Sequence, residues 1–79
     1  MAQNNPTLLS LLEQGALVDF GNGYALRGRP KMKYIDVLRE NIAGHGYLSE
    51  GYWDLSRQGL DSAMDDVRRM AREDKQETA

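Results

Sequence analysis

The triplet Gly21-Asn22-Gly23 separates two short apolar segments, residues 17–20 and 24–27, and it constrains the fold more than any other stretch of the chain. Tight hairpin turns demand positive φ, which glycine and asparagine tolerate, so residues 17–27 are predicted to form a β-hairpin. An isolated hairpin is marginal in water. Its apolar side chains therefore need cover from elsewhere in a chain of 79 residues.

The two ends supply candidates for that cover. Ser56 is placed to cap a helix in which Leu60, Ala63, Met64, Val67, Met70 and Ala71 recur at helical spacing. Asp61, Asp65 and Asp66 come early in it and Arg68, Arg69 and Arg72 late, the order the helix dipole favours. Asp65 with Arg69, and Arg69 with Glu73, are four apart and are expected to pair. Near the start, Pro6 opens a short helix over 7–14 with Leu8, Leu9, Leu11 and Leu12 on a broad apolar face, and Gly15 ends it. Between the hairpin and the last helix the signals are mixed. Gly28-Arg29-Pro30 is expected to break the strand before it. Residues 33–42 fit two periods: Tyr34, Ile35, Leu38 and Ile42 a helical face, Ile35 and Val37 around Asp36 a strand, and the start of the segment leans to a third strand. Gly44-His45-Gly46 reads as a second turn, and Gly51 as punctuation before a short strand over 52–55. The pattern GxGYxxxG thus occurs twice, at 21–28 and 44–51, and is read as two similar turns rather than a repeat.

The expected architecture is one small α+β domain over residues 6–73: a short N-terminal helix, a small antiparallel sheet built on the 17–27 hairpin, and a C-terminal amphipathic helix packed on the sheet. Residues 1–5 and 74–79 are expected to be flexible. A domain of this size buries only about 60–65% of its unfolded surface, so a partner or a homodimer would add useful stability.

Composition narrows the function by exclusion. No cysteine is present, which removes disulfides, thiolate metal sites and thiol nucleophiles and fits a reducing, cytoplasmic setting. Apolar runs are far shorter than the roughly 20 residues a membrane span needs, and no basic stretch followed by an apolar block opens the chain, so neither membrane insertion nor secretion is expected. His45 is the one histidine and reads as a turn residue. Ser10, Ser49, Ser56 and Ser62 lack a nucleophile context, and the glycines lack the Lys-Ser/Thr of a phosphate loop. Asp61 and Asp65 stand one helical turn apart, but Arg68 and Arg69 are one turn from Asp65 and near enough to neutralise it, so the pair reads as a solvated helix face. The sequence thus offers no catalytic residue, no metal site and no cofactor site.

What it offers is a surface. Charge runs in blocks: −2 over residues 1–23, +4 over 24–39, −5 over 40–66 and +1 thereafter. In the basic block Arg27, Arg29, Lys31 and Lys33 alternate, so an extended backbone would turn all four to one side. Tyr24 and Tyr34 stand at the margins of this arm, and Gly28 and Pro30 interrupt it, so it reads as a solvated loop, as a site for an acidic protein, or as a track for the backbone of a nucleic acid. Tyr47, Tyr52 and Trp53 gather aromatic surface nearby, with Tyr52 and Trp53 on opposite sides of a strand, one for the core and one for solvent or a partner. A protein partner is expected first, because net charge is −2 and nucleic-acid binders usually carry a basic excess. In type, though through no motif, the chain resembles small inhibitors encoded by phages and mobile elements, anti-CRISPR proteins among them. That resemblance implies a non-enzymatic module that occludes a larger partner. A nucleic-acid-binding regulator using the basic 27–33 arm is the alternative.

Overall fold

The computed structural model describes residues 7–41, 43–44 and 46–78, with the side chains of 74–78 left out. The expected turn residue His45, the apolar Ile42 and the 1–5 segment lie outside the described residues. Among those described, helix α1 (Leu8–Glu13) is followed by strands β1 (Leu17–Asp19), β2 (Tyr24–Arg29), β3 (Tyr34–Glu40) and β4 (Tyr47–Asp54), and by helix α2 (Arg57–Thr78). The strands form an antiparallel meander in chain order, the α+β arrangement expected.

Each boundary has a local cause. Thr7 Oγ1 accepts from the Ser10 N–H at 3.1 Å to cap α1, and Gly15 at φ +84° lets the chain leave it. Gly21 and Gly23 both hold positive φ in the first hairpin, where Asp19 Oδ1 accepts from the Gly21 N–H at 2.7 Å. Ser56 caps α2 as expected, its Oγ accepting from the Gly59 N–H at 3.0 Å. Within the ambiguous 33–42 segment, Tyr34–Glu40 is strand. In β3 Ile35 and Val37 point to the core, a period of two that wins once β2 and β4 are available on both edges.

Both helices lie on one face of the sheet. Leu12 of α1 and Ala63 and Val67 of α2 share a buried cluster with Tyr24 and Leu26 of β2 and Ile35 and Val37 of β3. Gly28 belongs to that face, and this corrects its expected role as a strand breaker. It sits inside β2, paired with Ile35, because the Leu12 backbone packs directly on its Cα: an added Cβ would lie 1.7 Å from the Leu12 carbonyl oxygen. The strand ends at Pro30 instead. Arg29 C=O then accepts from both Met32 and Lys33 N–H, at 3.1 and 2.7 Å, with Lys33 at φ 61°.

Gly51 is likewise not punctuation. It lies within an unbroken β4, where the register slips so that Val37 faces Gly51 and Leu38 faces Ser49, leaving Glu50 as the extra residue of a β-bulge. The bulge places Glu50 Oε2 3.2 Å from Arg39 Nε, a charge pair too poorly directed for a hydrogen bond. Arg39 also lies over the Tyr24 ring, 5.9 Å from its centroid.

In α2 the buried stripe is the expected one, but the helix runs to Thr78, beyond Glu73 where the apolar spacing stops. Arg68, Arg69 and Arg72 are therefore mid-helix rather than at its end. The ion pairs form at three residues, Asp65 with Arg68 at 3.0 Å and Asp66 with Arg69 at 3.1 Å, in place of the four-residue pairs expected. Among the described residues no helix is long and apolar enough to cross a membrane.

Candidate functional site

The face of the sheet opposite the helices has no element over it among the described residues. Strand alternation and register decide what it carries. Tyr24, Leu26 and Gly28 face the helices, so Ala25, Arg27 and Arg29 face away, and their partners across β3 are Leu38, Asp36 and Tyr34. On β4 the row continues with Tyr52 beside Asp36 and Asp54 beside Tyr34. Two cross-strand rows result, Arg27-Asp36-Tyr52 and Arg29-Tyr34-Asp54.

These rows are chemically tied. Arg29 Nε donates to Asp36 Oδ2 at 2.9 Å, and this bond, with the carboxylate's charge, raises the guanidinium further above its ordinary value. Asp36 is only 7% exposed although no helix covers it. Its shield consists of the neighbouring side chains. Tyr34 and Tyr52 stack in a tilted pair with ring centroids 4.9 Å apart, and Tyr52 remains 67% exposed.

At the far corner of the same face the Tyr47 hydroxyl donates to Asp19 Oδ2 at 2.6 Å, linking β4 to β1. Ala25 and Leu38, which lie between these strands on that face, are buried. Tyr47's hydrogen bond, helped by the Gly21 N–H, holds the Asp19 carboxyl below its ordinary value, and the same bond raises the Tyr47 phenol.

The residues singled out in the sequence divide as follows. Arg27, Arg29, Tyr47 and Tyr52 share the uncovered face. Lys31 and Lys33 do not continue the arginine ladder, since Pro30 ends β2 and puts both on the exposed turn before β3. Trp53 faces the other way, toward α2, as alternation required. It does not enter the core: it stays 40% exposed, and its indole N–H donates to Asp66 Oδ2 at 2.7 Å. The aromatic patch is therefore split across the sheet. Tyr34, expected at the margin of the basic arm, and Asp36, which was not singled out, complete the face; alternation about Ile35 and Val37 puts them together, but their meeting with Tyr52 depends on the β3–β4 register.

Beside this face a groove of about 410 Å³ opens between the turn after α1 and the β2–β3 turn, lined by Gly15, Arg27, Arg29, Pro30, Lys31 and Met32. Met32 is 65% exposed there. Among the described residues Arg27, Lys31 and Lys33 make no ion pair, whereas Arg29 is held by Asp36. No three acidic or histidine side chains among the described residues come together as metal ligands would. The arrangement sets cationic and aromatic groups side by side on paired strands. Compared with known proteins, the chain matches no protein-family model, no curated protein and no solved structure.

Proposed function

We propose that this chain is a non-enzymatic protein-binding module and that the uncovered sheet face is its binding surface. The observation that carries the reading is the stacked Tyr34–Tyr52 pair, flanked by Arg27 and Arg29 on a face that no element covers among the described residues. Tyrosine and arginine dominate the energetics of protein interfaces, and here they stand on paired strands, where little conformational freedom remains to be lost on binding. The module acts by occupying the surface of a larger partner, in the manner of the small phage- and mobile-element-encoded inhibitors it resembles in type, and it works in the cytoplasm. Retention of a partner by the tagged chain, compared between wild type and Tyr52→Ala and with and without nuclease, tests the reading. A retained protein that resists nuclease and falls about tenfold with Tyr52→Ala is expected. Equal retention by both chains would overturn it.

A second reading follows from the same tyrosines. Exposed aromatic rings beside arginine also stack single-stranded bases. Loss of retention on nuclease treatment, with affinity for an oligonucleotide falling steeply in salt, would favour the nucleic-acid regulator.

A further inference from the structure

We propose, resting on the protein-binding reading, that the groove between the α1 turn and the β2–β3 turn takes an acidic segment of the partner polypeptide. Carboxylates of that segment face Arg27 and Lys31, and an apolar side chain of it packs on Pro30 and Met32. Three observations converge. Arg27, Lys31 and Lys33 are exposed and unneutralised among the described residues, although the chain as a whole is acidic. Met32 projects at the tip of the same turn, 65% exposed and next to Pro30, so the cations surround an apolar spot rather than a polar one. The platform is also fixed. Arg29 C=O accepts two N–H groups of the turn, and Gly28 N–H donates to Ala16 C=O at 3.1 Å, tying β2 to the chain that leaves α1.

Length and sign distinguish the occupant. A nucleic acid presents a phosphate every few ångströms and favours a continuous basic track. Here the cations are confined to one end, and along the open face the next charged groups are Asp36, already paired, and the exposed Asp54. A site of this kind satisfies a few negative charges over a short span and adds apolar contact, as an acidic peptide segment does.

The test is an amide NMR titration of the whole chain with three probes: a short peptide with a central Asp-Leu-Glu-Leu-Asp, the same peptide with lysine at each acidic position, and single-stranded oligothymidine. The acidic peptide is expected to move the signals of Arg27, Lys31, Met32 and Lys33 saturably, with affinity falling as salt rises. Arg27→Glu with Lys31→Glu should weaken it by roughly tenfold or more, and Arg27→Gln with Lys31→Gln by less, while both variants keep the wild-type spectrum elsewhere. No movement, movement centred on other residues, or equal movement with the lysine peptide overturns the inference. Stronger movement of the same signals by oligothymidine overturns it in favour of a nucleic acid. A partner whose retention falls with Tyr52→Ala but ignores the double charge reversal removes this inference and leaves the protein-binding reading intact, whereas indifference to Tyr52→Ala removes that reading itself.

Discussion

Replacing Gly28 with alanine adds one methyl group where the α1 backbone rests on the sheet. The new Cβ would stand 1.7 Å from the Leu12 carbonyl oxygen, 2.4 Å from its carbon and 2.6 Å from its Cα. Real contacts of this kind scarcely fall below 3.0 Å, so relief requires α1 and β2 to part by at least the difference between 1.7 and 3.0 Å. No side-chain rotation can supply it, because every atom in the way is backbone. Leu12 is fully buried and Leu8 packs on the same cluster, so parting the two elements opens the core around both. A radial gap of about 1 Å forfeits a quarter to a half of each dispersion contact. Overpacking costs typically about 1–3 kcal/mol and removal of a buried leucine about 2–5. A loss of about 2–4 kcal/mol is therefore expected, against a total of roughly 4–12 for a domain this long. In urea, with a slope of about 1 kcal/mol per molar for so small a domain, the midpoint should fall by about 2 M or more. Gly21→Ala is the matched control: its Cβ meets nothing within 4 Å, and only φ +80° opposes it, so about 1–2 kcal/mol is expected. An unchanged midpoint for Gly28→Ala would refute the claim that α1 rests on the β2 backbone.

Val67→Asp places a carboxylate in the buried cluster beneath α2 and should cost about 3 kcal/mol or more by urea melting, with half-buried Met64→Asp costing less. A wild-type midpoint for Val67→Asp would mean that the stripe does not face the core. Because the Asp19 carboxyl is held below its ordinary value of 3.8, its ionised form favours the folded state; that stability is present above the unfolded value and is lost as pH falls through the lower folded one. Melts taken from about pH 5 to about pH 2 should thus show a steeper loss for wild type than for Asp19→Asn, with Tyr47→Phe between them because the Gly21 N–H remains. Parallel pH profiles for all three would rule out the link between β1 and β4.

Elements whose cause is local were readable in advance. The first hairpin, the Ser56 cap and the α2 stripe each need only a few neighbouring residues to explain them. Gly28 and Gly51 were misread for a common reason. A glycine in a sequence signals a turn, a bulge or a close approach alike, and only the partner strand or helix says which applies. The two GxGYxxxG segments show this well: Gly23 and Gly46 both hold positive φ just before a strand-opening tyrosine, yet Gly28 lies under a helix and Gly51 in a bulge. The site was half legible. Alternation placed Arg27 with Arg29 and set Tyr52 against Trp53, since those relations lie within one strand. Pro30 interrupts the arginine ladder before Lys31 already in the sequence, because it removes a backbone donor and fixes φ. The Tyr34–Tyr52 stack and the Arg29–Asp36 bond lay out of reach, being products of pairing register.

Tyr52 carries two roles that a single truncation would confound, and its substitution pattern separates them. It stands beside Asp36 in the Arg27-Asp36-Tyr52 row and stacks on Tyr34, so its ring both forms the surface and shields a carboxylate that no helix covers. Tyr52→Ala therefore removes an anchor and also admits water to the Arg29–Asp36 pair, whose attraction solvent screens. Tyr52→Phe keeps ring, stack and shield and removes only the exposed hydroxyl. If the face binds a partner through the ring, the phenylalanine variant should keep most of the affinity, while the alanine variant loses about tenfold or more, near 1.4 kcal/mol. Folding should hardly distinguish them, because a side chain 67% exposed contributes little buried area, so their unfolding free energies from urea melts should agree within about 0.5 kcal/mol. Equal loss of affinity and of stability in Tyr52→Ala would mean that the ring holds the sheet together, and the binding surface would have to be sought on another face.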